Sequence, residues 1–500
     1  MDAAGSTPPL LALFLFLMLR GFFLFRPTSK FNKKEINWRK AKKKKKKRNK
    51  EIKKGFVCAC AVALRWCPSL VDAKSKNTME CTSILPPEVW QIVLSNLPKA
   101  HLLAYVRLVC TLFNDLVLEL TKVQVLSLGE SALGFKGKDM LVPQRVAAFN
   151  SIPYIRQVAS GWFHSFILTQ EGRLWTFGKV RYCMGFADSI GTTLRAPALV
   201  KSLDGIRIRQ VAAGQYHTLA LAENGEVYSF GNMKNGLGHP DSDRKAYTLP
   251  TRIEALAGVR AVQVAAGVRH SLVLSDTGQV YGFGRGEQGC PGHGHTNYVT
   301  LPQIVFALKD IKVVRIACGG FHNVVLTDNG EVWTWGWGHH GALGHGDSTQ
   351  QNSPMKVEAL ADEKVYRIFT GRHQTFVINE AGHALAFGCG VEARLGLGDS
   401  ASRYLPCPVT ALYHEFVVKV TSAEYHTLFL TRGGKVYSCG NEEAEKQVGR
   451  LGQANLPVLR PQVIPYLENH KIVDISAGRN FSLFLAGSCL PDFDNPFSTS

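Results

Sequence analysis

Between residues 155 and 486 apolar and polar positions alternate in short runs instead of recurring at helical spacing. His217-Thr218-Leu219-Ala220-Leu221 alternates, Asn224-Gly225 follows, and Val227-Tyr228-Ser229-Phe230 returns. Period-two alternation around an Asn-Gly pair predicts an antiparallel hairpin, because that pair supplies the positive φ of a tight turn. Asn329-Gly330 and Gly433-Gly434 stand at the same point of later copies, and a further strand is predicted after Leu-Gly pairs such as Leu343-Gly344. Over residues 84–120 the pattern changes. Val89, Ile92, Val93 and Leu97 fall at helical spacing, with Pro86 and Pro87 in the first turn and Pro98 at the end. Leu102, Leu103, Val106, Val109, Cys110 and Phe113 form a second stripe, continued by Leu116, Val117 and Leu120. So short a helical segment cannot bury that much apolar surface alone. Its cover is either another chain or the larger domain of this one.

The strand region repeats. SGWFHSFILTQEGRLWTFG, AAGQYHTLALAENGEVYSFG, AAGVRHSLVLSDTGQVYGFG, CGGFHNVVLTDNGEVWTWG, FTGRHQTFVINEAGHALAFG and TSAEYHTLFLTRGGKVYSCG are six copies, and SAGRNFSLFLAG is half of a seventh. The register residues Gly161, Gly214, Gly267, Gly319, Gly371, Ala423 and Gly478 are 52 to 55 positions apart. Four strands per unit, seven times over, predict a mainly β chain: a seven-bladed propeller preceded by a small all-α domain. The seventh copy lacks its second hairpin. Val125-Leu126-Ser127-Leu128-Gly129 matches Val436-Tyr437-Ser438-Cys439-Gly440, and Ala132-Leu133-Gly134 matches Ala342-Leu343-Gly344. Residues 123–134 are therefore expected to pair with 471–486 and close the ring, since an open blade would leave a bare edge.

Two resemblances follow from these residues. The G-x-x-H…G-x-V-[WY]-x-[FW]-G pattern resembles the regulator of chromosome condensation repeats. Gln374 and Phe481 depart from it at the His position and Ala423 at the Gly, which predicts that blades five to seven are looser or partly repurposed. The run Leu85-Pro86-Pro87-Glu88-Val89, then Ile92 to Pro98, then Val106 to Cys110 and Phe113, resembles the F-box. That resemblance implies docking on the Skp adaptor of a cullin-RING ubiquitin ligase through Leu85, Pro86, Glu88, Ile92, Leu97, Pro98, Leu103, Val109 and Cys110. The domain plan is 1–78 N-terminal extension, 79–121 F-box, 122–487 propeller with 122–134 closing the last blade, and 488–500 tail.

Composition changes the picture at one point. The formal charge of +19 invites a nucleic-acid reading, but residues 1–78 hold 20 of the 58 Lys/Arg and 4 of the 39 Asp/Glu. The rest of the chain is close to neutral, so no nucleic-acid partner is expected for the body. The extension is read as standing apart from the natural fold, with Met79 as the start. The alternatives are a weak membrane anchor in the apolar run from Leu10 to Leu19 and a nuclear localisation signal in Lys42 to Arg48. No membrane partner is expected. Twelve cysteines without a C-x-x-C pair read as reduced, in a cytoplasmic or nuclear protein.

Candidate chemistry mostly dissolves into the repeat. Gly282 to Gly286 and Gly336 to Gly338 look like phosphate loops, but they recur at the repeat period and are read as blade-to-blade turns. His164, His217, His270, His322 and His426 recur at one blade position and are read as structural hydrogen-bonding residues. His293 with His295, and His339 with His340 and His345, lack the carboxylates or thiolates of a designed metal site. No catalytic set, metal site or cofactor is predicted. What varies is the pair before the His position, and Trp162, Phe163, Tyr216, Arg269, Phe321, Arg372, Tyr425 and Arg479 there have hot-spot composition. They are the candidate substrate-binding residues, unless they merely cover the blade ends. The expectation is a substrate-recognition subunit, itself not an enzyme, that bridges the Skp adaptor and cullin scaffold to a protein substrate. The alternatives are a guanine-nucleotide exchange factor or chromatin-binding propeller for a small nuclear GTPase, and a light sensor resembling the plant ultraviolet-B receptors.

Overall fold

The computed structural model describes residues 124–129, 140–145, 149, 152, 154–178, 183–186, 193–231, 236–240, 248–441 and 457–487. The F-box-like run and the extension before it lie outside these residues. Among the described residues there are seven four-stranded antiparallel sheets and, between them, only short 3-10 turns. Each of the first six sheets is a meander in chain order. In the third, Ala261–Ala266, His270–Ser275, Val280–Gly284 and Val299–Ile304 follow one another from the inside outwards. The first strand of each blade touches the first strands of both neighbours, so seven such strands line a common axis.

Hairpin chemistry sets the blades. Gly225, Gly330 and Gly434 hold φ of 90°, 86° and 83° in the turns between second and third strands, which a side chain would resist. Gly282 and Gly284 differ from the sequence reading: they lie on the third strand of blade three, not in a blade-to-blade turn. A Cβ on Gly282 would sit 2.1 Å from the Pro291 carbonyl oxygen, so the residue is there for a close approach and not for a phosphate. Outer strands are exposed edges, and six carry a proline at the fourth residue: Pro143, Pro197, Pro302, Pro354, Pro406 and Pro461. A proline has no amide to offer another chain, which blunts an edge against further pairing.

The core is a set of apolar layers between successive blades. Phe166, Leu168 and Leu174 of blade one pack on Ile208, Val211, Ala220 and Phe230 of blade two, and the Phe166 and Phe230 rings meet edge to face at 6.0 Å. The last layer joins the chain ends. Ile472–Gly478 and Phe481–Ala486 are the two inner strands of blade seven, Gln124–Gly129 the third and Met140–Arg145 the fourth. Val125 lies opposite Leu485 and Leu126 opposite Phe484. The outer strand was not part of the sequence reading, which stopped at residue 134. In the three late blades that depart from the pattern, Gln374, His426 and Phe481 keep the register of their counterparts, each opposite a third-strand glycine as His164 is opposite Gly178. All three are buried.

Candidate functional site

The turn between first and second strands places two kinds of residue at once. In blade one the Gly161 amide donates to the His164 carbonyl at 2.8 Å, closing a short reversal that turns the imidazole inwards. That ring reaches the next blade: Nε2 of His164, His217, His270, His322 and His426 meets Thr218, Ser271, Asn323, Thr375 and Ser482 at 2.8 to 3.3 Å. The receiving side chains in turn donate to loop carbonyls, as Ser271 does to Gly236 at 2.7 Å and Thr375 to Ala342 at 2.8 Å. Burial holds His164 and His270 down at about 4 and His217 and His322 at about 3. These four rings are neutral joints between blades. Gln374 instead accepts from its neighbour's amide, His373 N, at 3.0 Å.

The first residue of each variable pair points to the axis. Trp162, Gln215, Val268, Gly320, Arg372, Glu424 and Arg479 line one end of the channel around a cavity of about 160 Å³. Four of them converge from blades one, five, six and seven. Glu424 pairs with Arg372, and its Oε2 lies 2.7 Å from Arg479 Nε in a contact that is ionic but poorly angled for a hydrogen bond. Both guanidinium groups lie over the Trp162 ring, 4.6 Å (Arg372) and 5.4 Å (Arg479) from its centroid. Two cations sharing one carboxylate leave a positive excess. About a quarter of each arginine side chain is still exposed.

The second residues of the pairs stand further out. Phe163 meets Trp162 edge to face at 6.1 Å, and Arg479 Nη2 reaches Tyr425 Oη at 3.5 Å. Tyr216 and Arg269 form a separate cation–π pair at 5.6 Å on blades two and three. Phe321 belongs to a third group with Trp337, His339, His340 and His373, linked by ring contacts of 3.9 to 6.4 Å. Burial, with Arg372 beside it, holds His373 at about 3. The sequence reading missed Glu424, although it is the one acid in the variable pairs. It read Gly336 to Gly338 as a blade turn and His339 with His340 as a poor metal candidate, and so did not connect the Trp337–His340 loop with Phe321 and His373. The adaptor-docking candidates from Leu85 to Cys110 lie outside the described residues. Among the described residues no group of three or more His, Cys, Asp or Glu is placed to hold a metal.

Residues 184–489 match the model of the RCC1-like domain, and 155–179 match that of the regulator of chromosome condensation (RCC1) repeat. The chain belongs to the RCC1-like domain family. Its propeller is similar to the human E3 ubiquitin-protein ligase HERC2, 32% identical over 358 residues, a match spanning 70% of this chain but 7% of HERC2. It is also similar to the Arabidopsis thaliana ultraviolet-B receptor UVR8, 33% identical over 291 residues, spanning 58% of this chain and 65% of the receptor. Among solved structures, Prp20p of Saccharomyces cerevisiae superposes with a TM-score of 0.65 at 21% identity. That match covers 75% of this chain and 94% of Prp20p, and at this identity it speaks for the fold alone.

Proposed function

We propose that this RCC1-like propeller recognises a protein through the face around Trp162, Arg372, Glu424 and Arg479, as the substrate-recognition subunit of an SCF-type ubiquitin ligase. The observation that carries the reading is the convergence of an aromatic ring, two arginines and a carboxylate, partly exposed, at one end of the channel. Interfaces concentrate their energy in Trp, Tyr and Arg anchors of this kind. The ligase half rests on the F-box-like order of Leu-Pro, Leu-Pro and Val-Cys between residues 85 and 110. Relatives whose propellers resemble this one include proteins named as ubiquitin ligases. In this reading the chain carries no catalytic residues, and ubiquitin transfer belongs to partner subunits.

A second reading, guanine-nucleotide exchange on a small nuclear GTPase, draws on the likeness in fold to Prp20p, whose structure is described with its binding to Gsp1p and histones. One pair of assays separates the two. Leu97→Ala with Val109→Ala should abolish co-purification of the Skp adaptor while the propeller stays folded, because truncating a Leu that buries at a docking interface costs about 2–5 kcal/mol. Undiminished adaptor recovery, together with accelerated GDP release from a small nuclear GTPase, would replace the adaptor reading with the exchange reading.

A further inference from the structure

Glu424 is the enclosed member of the cluster at the channel mouth. Its side chain is 13% exposed, against 28% for Arg372 and 27% for Arg479. A molecule approaching along the axis therefore meets guanidinium groups before it meets the carboxylate between them. Arg372 reaches Glu424 through Nη1, while its Nε is buried and makes no hydrogen bond. The cavity that these side chains line, about 160 Å³, is of the size that takes a group like a benzene ring, so one Asp or Glu side chain fits it.

A third cation adjoins them. After the third strand of blades one to four, a loop carbonyl accepts a hydrogen bond from the next blade. Cys183 accepts from Thr218 at 3.0 Å and Gly236 from Ser271 at 2.7 Å. Cys290 accepts from Asn323 and Ala342 from Thr375, both at 2.8 Å. In blade five that carbonyl belongs to Arg394, which accepts from Thr427 Oγ1 at 2.7 Å. The joint asks only for a carbonyl, and the other four loops supply it from a small residue, so the guanidinium is an addition. Arg394 is 6% exposed, its Nε donates to Val391 O at 2.5 Å, and it lies in the field of Glu392 and Glu424. Among the described residues Arg372, Arg394 and Arg479 thus stand against Glu392 and Glu424, which leaves one positive charge over. His340 and His373 beside them do not add to it: burial lowers both, His373 to about 3.

Resting on the recognition face proposed above, we propose that what this face recognises is an acidic segment of the partner protein, one Asp or Glu carboxylate seated in the channel mouth between Arg372 and Arg479 and in the field of Arg394. A guanidinium fork matches the two oxygens of a carboxylate. A single carboxylate answers the one charge left over, which a phosphate dianion would exceed.

Selection from a random dodecapeptide display library against the full chain tests this without presuming a sequence. Retained peptides should be richer in Asp and Glu than in Lys and Arg, and their binding, read by fluorescence anisotropy, should weaken as salt rises. Arg479→Gln should weaken the best peptide by about tenfold or more, and Arg479→Lys, which keeps the charge, by less. Arg394→Ala borrows the residue of blade four and keeps the carbonyl that Thr427 uses, so it should lose affinity without lowering the thermal midpoint. Changing the peptide's key acid to its amide should cost as much as Arg479→Gln. An empty selection, retained peptides without acidic enrichment, or tighter binding with phosphoserine in place of the key acid would each overturn the acidic assignment. Trp162→Ala separates that assignment from the reading of the face. Neutral or basic peptides that Trp162→Ala no longer binds refute the acid alone. Acidic peptides that bind Trp162→Ala and Arg479→Gln as they bind the parent refute the face as well. Should Arg479→Gln fail to fold, Arg394→Ala and the amide peptide decide.

Discussion

Replacing one imidazole joint should change the pH dependence of stability by a countable amount. His217 is fully buried, its Nε2 lies 2.8 Å from Ser271 Oγ, and burial holds it at about 3. In the unfolded chain it protonates near 6.5. Between those values the unfolded state carries one more proton than the folded state, so stability is full above pH 6.5 and falls as the pH drops. Each such histidine contributes a slope of about 1.4 kcal/mol per pH unit. His164, His270 and His322 behave alike, with folded values of about 4, 4 and 3. Moving from pH 8 to 5.5 should therefore remove about 1.4 kcal/mol per ring, and about 5–6 kcal/mol for the four. That is a large share of the 5–15 kcal/mol typical of a folded domain. Carboxylates do not confuse the measurement, because Glu226, Glu331, Asp399 and Glu415 are all held below their ordinary values and stay ionised at pH 5.5. His217→Gln imitates Gln374 of blade five. It should lose about 1 kcal/mol at pH 8 from the broken hydrogen bond, yet show a loss between pH 8 and 5.5 smaller than the parent's by about 1.4 kcal/mol. Urea unfolding at the two pH values measures both. An unchanged difference between the two pH values would show that His217 is not a neutral joint.

Asp474→Ala strips Lys419 of its partner and Val158 of its acceptor at the ring closure, and should cost about 3–5 kcal/mol in urea unfolding; a loss under 1 kcal/mol would mean that water replaces the carboxylate. Gly282→Ala forces a methyl against the Pro291 carbonyl and should lower stability by about 1–3 kcal/mol, with a silent mutation showing that the strand gives way freely. Trp162→Ala should leave the fold intact and remove captured partners from pull-downs, whereas an unchanged set of partners would assign recognition to another surface.

The blades were legible because each repeats its own turn chemistry at a fixed spacing. Ring closure was legible for a similar reason: Val125 to Gly129 copies a third strand and needs a second strand beside it, which Phe481–Ala486 supplies. The fourth strand of that blade, Met140–Arg145, was not. Its pattern is that of an exposed edge, and only its proline, in step with Pro302 and Pro461, marks it. The face was half legible. Alternation said which residues leave the ring, but no local pattern says that Arg372 reaches Trp162 from blade five, since that contact depends on curvature summed over the whole ring.

The proposed recognition face and the joints between blades are separable because one turn carries both without sharing atoms. The Gly–His reversal is held by a main-chain bond, Gly161 N to His164 O at 2.8 Å in blade one and Gly319 N to His322 O at 2.8 Å in blade four. Neither bond uses the side chains of the two residues between them. The imidazole turns into the joint, while the variable pair points to the channel mouth or the surface beside it. Substitution of that pair therefore exposes no apolar layer and strands no buried hydrogen bond of the joint. Blade six makes the point within the molecule. Ala423 replaces the glycine and Glu424 carries the charge, yet Ala423 N still donates to His426 O at 2.9 Å and His426 still reaches Ser482 at 2.9 Å. Variation around the opening has limits, since a Cβ on Gly320 would sit 2.6 Å from the Arg372 carbonyl oxygen and Val268 is buried. Where the pair faces the channel, it changes without touching the joint, which is what the proposed reading of a protein surface requires.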